Sequence, residues 1–280
     1  MLTHSSIRRL LFTFSMVCVS VTVYGQAAAP AAQAPATQQK PFEPTVGQQG
    51  KDVVWVPTSQ ALVDKMLDMA KVTPQDFVID LGSGDGRTVI TAARRGARAM
   101  GIEYNPDMVA LSKKNAAAAG LSEDKAKFMK ADLFETDFSQ ATVITMFLPP
   151  SINLKLRPKI LDMKPGTRVV SNTFTMEDWE PDETQTIQGD CTSWCTALFW
   201  VVPAKVEGTW QMPSGNLALT QQFQKVSGTL GSAAISNGKL RGDEISFDAG
   251  GAHYTGHVNG TSMKGTVTGG SGSTWTATKR

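Results

Sequence analysis

Between Trp55 and Ala204 the apolar positions switch repeatedly between a helical spacing and short unbroken runs. Leu62, Val63, Met66, Leu67 and Ala70 fall on one helical stripe and predict a helix over residues 59–71. FVIDL (77–81) is a strand-length apolar run, followed after a glycine-rich turn by a helix over 87–95 that Gly96 stops. AMGIE (99–103) is the next strand. Asn105 then offers a cap and Pro106 a first helical position, opening a helix that runs to Gly120. AKFMK (126–130), TVITMF (142–147), a helix near 152–163 and TRVVSN (167–172) continue the alternation. Such spacing predicts an α/β fold, a doubly wound and mostly parallel sheet with helices on both faces.

After Asn172 the pattern breaks. No helix fits SNTFTMEDWEPDE, and TQTIQG and TALFWVVPA read as two strands around DCTSWC, so an antiparallel hairpin is expected to close the sheet. From Val206 the grammar is all-β. Glycine is dense, the triplets VSG (226–228), LRG (240–242), YTG (254–256) and MKG (263–265) recur, and SNG, DAGG and NGT mark turns. This predicts a small antiparallel meander, a barrel or a sandwich, over 206–280.

The first 25 residues read as an export signal. Arg8 and Arg9 precede an apolar stretch of about 15 residues, short of the ~20 that span a bilayer, and Val23 and Gly25 fit a cleavage site. An uncleaved anchor is the competing reading. Residues 26–50, rich in Ala, Pro and Gln, read as a linker, and 51–205 as the main domain. The mature chain is expected to be periplasmic or extracellular, with no stable membrane span. It would keep only Cys191 and Cys195, which an oxidising compartment would pair. On a straight strand their Cα atoms would stand ~13 Å apart, so they can bond only across a turn. Two histidines and no second ligand pair give no reason to expect a metal. The net charge of +2, with no basic run between aromatics, argues against a nucleic-acid partner.

The chemistry concentrates at VIDLGSGDGR (78–87). A phosphate loop of the Walker type needs Lys-Ser/Thr after its last glycine, and Arg87-Thr88 stands there instead. Dinucleotide loops space their glycines GxGxxG, whereas Gly82, Gly84 and Gly86 strictly alternate. S-adenosylmethionine (SAM) fits better: bare backbone at Gly82, Ser83, Gly84 and Gly86 admits a bulky nucleoside. Asp80 can sit near an α-ammonium, and Glu103 can accept both ribose hydroxyls. Asp132 can accept from an adenine amino group, with the Leu133 N–H facing the ring. These three acids end successive strands, where open α/β sheets bind ligands, although each alone is also explained as a turn or capping residue.

On these residues the chain resembles the class I, seven-strand, SAM-dependent methyltransferases over roughly 52–204. VWVPTSQALVDKML, DLGSGDGR, GIEYNP, ADLFETDFSQATVITMFLPPSINLKLRP and KPGTRVVSNTFTMEDWEPD are similar to the small protein-lysine methyltransferases related to the mitochondrial enzyme that modifies the c-ring protein of ATP synthase. The resemblance implies a protein substrate with an accessible lysine. It also implies an acceptor end at Phe147, Leu148 and Pro149, whose carbonyls could hold the amine, with Asn153 in reach. Pro149-Pro150 could equally just set a turn. Many amine methyltransferases carry Asn or Asp before PPY here, and this chain has neither that residue nor the tyrosine. Thr58 could lid the ligand or simply cap the first helix, while Phe174 and Trp179 could line a channel for an aliphatic amine or belong to the core. An exported scaffold without catalysis, and a methyltransferase of small amines or lipids, stay open as alternatives.

Overall fold

The computed structural model describes residues 42–270 and 272–280, together with 15 and 18. The predicted signal over 1–25 and most of the predicted linker therefore lie outside the described residues. Seven strands form the first sheet: β1 Phe77–Leu81, β2 Arg98–Glu103, β3 Ala126–Lys130, β4 Val143–Met146, β5 Arg168–Asn172, β6 Glu183–Thr186 and β7 Thr196–Val201. Their spatial order is β3-β2-β1-β4-β5-β7-β6. All pairs are parallel except those made by β7, which runs antiparallel to β5 and β6. The expected closing hairpin is present, and Cys191 and Cys195 are bridged across its loop.

Four helices cover the sheet: α1 Gln60–Met69, α2 Arg87–Arg94, α3 Pro106–Ala118 and α4 Pro150–Leu161. Residues of α1, α2 and α3 share one buried cluster with Val78, Ala99, Val143 and Val170 of the strands. Ile79, Leu81, Ile144 and Val169, which alternate with them, pack on the other face against α4. Helices thus occupy both faces, three against one, and Phe138, Met176 and Trp179 from connecting loops fill out the α4 side. The Ser59 side chain, not Thr58, caps α1 by accepting the Leu62 N–H. Pro149 and Pro150 open α4 two residues earlier than the periodicity indicated, because Pro fits a first helical turn.

The C-terminal residues form a closed eight-stranded barrel from β8 (Gly208–Met212), through β9 (Gly215–Gln222), β10 (Lys225–Leu230), β11 (Ala233–Arg241), β12 (Glu244–Ala249), β13 (Ala252–Asn259) and β14 (Ser262–Thr268), to β15 (Thr274–Lys279), which returns to β8. Closure removes the sheet edges that an open meander would expose. The recurrent triplets have a steric reason. Gly256 and Gly265 face one another across β13 and β14, and a side chain at Gly256 would strike the Trp275 ring, which is buried across them. Gly242 of LRG lies against the first sheet instead: a Cβ there would meet the Gly166 backbone at 3.0 Å. The barrel docks at that point. The Ala204 N–H donates to the Gly242 carbonyl, Phe223 stacks on Trp179 with centroids 5.9 Å apart, and Lys225 pairs with Glu180 at 2.7 Å.

Candidate functional site

A cleft of about 410 Å³ opens at the carboxyl ends of β1, β2 and β4. That volume suits a nucleoside with an amino-acid tail. Thr58, Asp80, Gly82, Ser83, Gly84, Glu103, Asp132, Leu133, Phe147, Leu148 and Pro149 all line it. The fold therefore brings together candidates scattered over 92 positions of sequence.

The glycine loop is held from below. Ser112 donates to the Gly84 carbonyl at 2.8 Å, and Asn115 donates to the Asp85 carbonyl at 2.9 Å. The Gly84 N–H in turn donates to Glu103 Oε2 at 3.0 Å, while the Asn105 N–H donates to Oε1 at 2.9 Å. Two backbone donors thus fix the carboxylate and leave it lone pairs for a ligand. Gly84 has a φ of +54°, and a Cβ on it would meet the Trp55 indole nitrogen at 2.7 Å. Only glycine satisfies both conditions.

Asp80 is buried and accepts the Thr145 hydroxyl at 2.6 Å. Burial pushes its carboxyl up to about 7; the nearby Glu103 and Asp85 charges add to this, and hydrogen bonds from Thr145 and Thr88 offset part of it. Asp132 stands in the opposite regime. A hydrogen bond from Lys51 at 2.5 Å and one from the Phe134 N–H at 2.9 Å hold its carboxyl below the usual range.

Two candidates fall elsewhere. Gly86 caps α2 with a φ of +84°, and its Cα packs against Phe128 and Ser112, so its glycine serves the strand-to-helix turn and does not line the cleft. Asn153 is fully buried under the cleft and donates to the Phe174 and Thr175 carbonyls, so it positions the segment after β5. Phe174 lines the cleft, whereas Trp179 is core at the barrel junction.

Other wall residues carry no comparable signal in the sequence. Gln48, Gln49 and Gly50, within the segment expected to be a linker, fold back with Lys51 and Trp55 through a small turn. Lys51 also sits over the Tyr104 ring at 4.8 Å. Arg87 binds Asp85 and the Thr58 carbonyl, and Asn172 reaches the Thr58 hydroxyl. Trp194 comes from the disulfide loop. Among the described residues no three His, Cys, Asp or Glu side chains come together as metal ligands.

A sequence model described as the ANTKMT methyltransferase domain matches residues 80–183. The chain is 43% identical over 134 residues to a protein-lysine N-methyltransferase of Saccharolobus islandicus, an alignment covering 47% of this chain and 83% of that one. It is 36% identical over 129 to 141 residues to two mouse lysine N-methyltransferases, one acting on the adenine nucleotide translocase (131 residues) and one on the c-ring protein of ATP synthase (141 residues). These two alignments cover 46% and 50% of this chain, and it spans 56% of the length of either relative. Among solved structures, an RNA methyltransferase from Salinibacter ruber in complex with S-adenosyl-L-homocysteine superposes with a TM-score of 0.51 at 48% identity, over 54% of this chain and 96% of that one. With the seven-strand order and the glycine loop between β1 and α2, these likenesses agree: the chain belongs to the protein-lysine N-methyltransferase family that shares the ANTKMT methyltransferase domain, a family of SAM-dependent methyltransferases.

Proposed function

We propose that the cleft binds SAM and transfers its methyl group to the ε-amine of a lysine in a protein substrate. The observation that carries this reading is Glu103, fixed by the Gly84 and Asn105 N–H groups at the end of β2 with lone pairs left for a ribose. The surroundings fit the ligand chemically. Gly82 and Gly84 bare the loop backbone, the Ser83 hydroxyl is buried without a partner among the described residues, and Asp80 offers a carboxyl deep in the wall.

SAM supplies a methyl on a sulfonium, whose displacement leaves a neutral sulfide. The protein therefore has to align and dehydrate the amine more than to move charge. In this reading Asp80 faces the α-ammonium, Glu103 the ribose, and Asp132 with Leu133 the adenine, with Thr58 at the rim. Phe147, Leu148 and Pro149 form the acceptor end. Among the described residues no donor reaches the Phe147 or Leu148 carbonyl, whereas the Pro149 carbonyl accepts the Ile152 and Asn153 N–H groups. Two carbonyls are thus left to orient an amine.

The Asp80 assignment gives a pH dependence with a definite sign. An ammonium favours the carboxylate, which Asp80 bears only above about 7. Affinity for SAM should therefore rise by up to tenfold per pH unit on approaching 7 from below. It should fall again as the ligand's own α-amino group loses its proton near ~8. Calorimetry from pH 5.5 to 9 checks this, and Asp80→Asn should flatten the acid limb.

Lys51 competes for Asp132 in the ligand-free protein, through an exposed ion pair. Lys51→Ala should therefore strengthen SAM binding by a factor of about 2 to 5, the usual scale of such pairs. A loss of affinity would show instead that Lys51 itself contacts the ligand.

The lysine assignment is tested by acetylating the amines of a lysate before adding enzyme and methyl-labelled SAM. Uptake should collapse after acetylation and survive ribonuclease. The opposite pattern would favour RNA, the substrate class that names the Salinibacter relative. Export belongs to the same proposal and is supported by the Cys191–Cys195 bridge, which an oxidising compartment would maintain. No helix among the described residues is long and apolar enough to cross a membrane.

A further inference from the structure

Trp194 lies within the loop that the Cys191–Cys195 disulfide closes, with the bridged Cα atoms 5.8 Å apart. Its backbone has a φ of +59°, a conformation that a bulky residue rarely adopts, and the residue is 43% exposed. Its ring centroid stands 5.5 Å from that of Phe174 and 6.1 Å from that of Phe147, which are themselves stacked at 5.6 Å with planes 21° apart. All three rings line the cleft that holds the glycine loop.

Burial does not account for this arrangement. A tryptophan left so exposed returns little hydrophobic stabilisation, yet a covalent loop and a rare backbone conformation hold it in place. Five large hydrophobic residues are exposed among those described, and three of them, Val54, Tyr104 and Trp194, border this one cleft. Exposed apolar surface gathered at one cleft marks a binding surface. Converging aromatic faces attract a diffuse positive charge, and a methylated ammonium is the cation that loses least hydration on meeting them.

We propose that Phe147, Phe174 and Trp194 form a binding site for an N-methylated ammonium head group, with Trp194, presented by the disulfide loop, as its specificity-determining residue. The proposal rests on the amine-methyltransferase reading of the cleft for its use, since the acceptor would present such a head after a first transfer. The binding itself needs no transfer, so it can be tested separately. The disulfide enters as the clamp that presents the ring.

The test titrates the full chain with choline and with 3,3-dimethylbutan-1-ol, which has carbon in place of the charged nitrogen, following the ligand methyl signals by NMR. Choline should bind at least about tenfold more tightly than the neutral isostere. Trp194→Ala should weaken choline binding by about tenfold, Trp194→Phe by less, and Cys191→Ser with Cys195→Ser should move it in the same direction. SAM affinity of each variant, read by calorimetry, should stay at the wild-type value, which also shows that the variants are folded. Equal binding of choline and its isostere, or wild-type choline binding by both the Trp194→Ala and the double-serine proteins, would overturn the site. Choline binding that persists while no lysine is ever methylated would sink the functional reading and leave this one standing.

Discussion

Glu103→Ala should weaken SAM binding by about 100-fold or more. Two hydrogen bonds from ribose hydroxyls to a carboxylate contribute about 1.5–3 kcal/mol each, and about 1.4 kcal/mol is a factor of ten in affinity. Part of the loss comes from the protein itself: with the carboxylate gone, the Gly84 and Asn105 N–H groups lose their acceptor and the loop loses its tie to β2. Glu103→Gln separates the two contributions. It keeps one acceptor oxygen but turns an NH₂ toward a donor, so its loss should lie between those of wild type and alanine. Calorimetric titration with SAM reads all three proteins, with far-UV circular dichroism as the check on folding. An affinity within threefold of wild type for Glu103→Ala would show that the ribose is held elsewhere.

The largest effect on stability should come from Trp179. Its side chain is fully buried, stacks on Phe223 of the barrel, and tilts against Trp200 at 6.1 Å. Trp179→Ala should cost about 3–5 kcal/mol, the usual range for emptying a buried tryptophan site. The cavity would open where the sheet meets the barrel, so both should lose stability together in guanidinium denaturation. Trp179→Phe should cost less. The indole N–H has no hydrogen-bond partner among the described residues, and a phenyl ring can keep the stack. Trp179 does not line the cleft, so the folded fraction of either variant should bind SAM as wild type does.

The parts of the fold that follow from short-range pattern were legible in the sequence. The VIDL run, the Asn105-Pro106 opening of α3 and the change of grammar near Val206 each rest on spacing within a few residues, and each reappears in the structure. The hairpin around Cys191 and Cys195 was reachable for a similar reason, because the geometry of a disulfide excludes a straight strand between them. Glu103 and Asp132 were legible because parallel strands place their carboxyl ends at one edge, where successive strand-end acids converge.

What the sequence hid depends on contacts between distant segments. Gly86 and Gly84 look alike in GSGDG, yet one faces Phe128 below and the other Trp55 above, a distinction that only packing makes. Asn153 has the chemistry of a pocket amide. It is instead spent on the two carbonyls of a segment 21 and 22 residues further on. Ser59 takes the capping role that Thr58 could have filled, because the Thr58 hydroxyl is engaged by Asn172. The wall made by residues 48–55 has almost no apolar period, and its fold depends on Trp55 meeting a glycine and Lys51 meeting Asp132. Trp194 does carry a signal in the sequence. A tryptophan inside a five-residue disulfide loop has nowhere to be buried, so its position alone points to a surface with a use.

The measurement that bears most directly on the account is the identity of the methylated group. Purified protein from about Gln26 is incubated with methyl-labelled SAM and a cell-envelope fraction, the protein is hydrolysed in acid, and the labelled amino acids are resolved. The account expects the label in ε-N-methylated lysine, absent when the Glu103→Ala protein is used. Label recovered in nucleosides, lipids or another amino acid, or label in lysine that persists with Glu103→Ala, would contradict it.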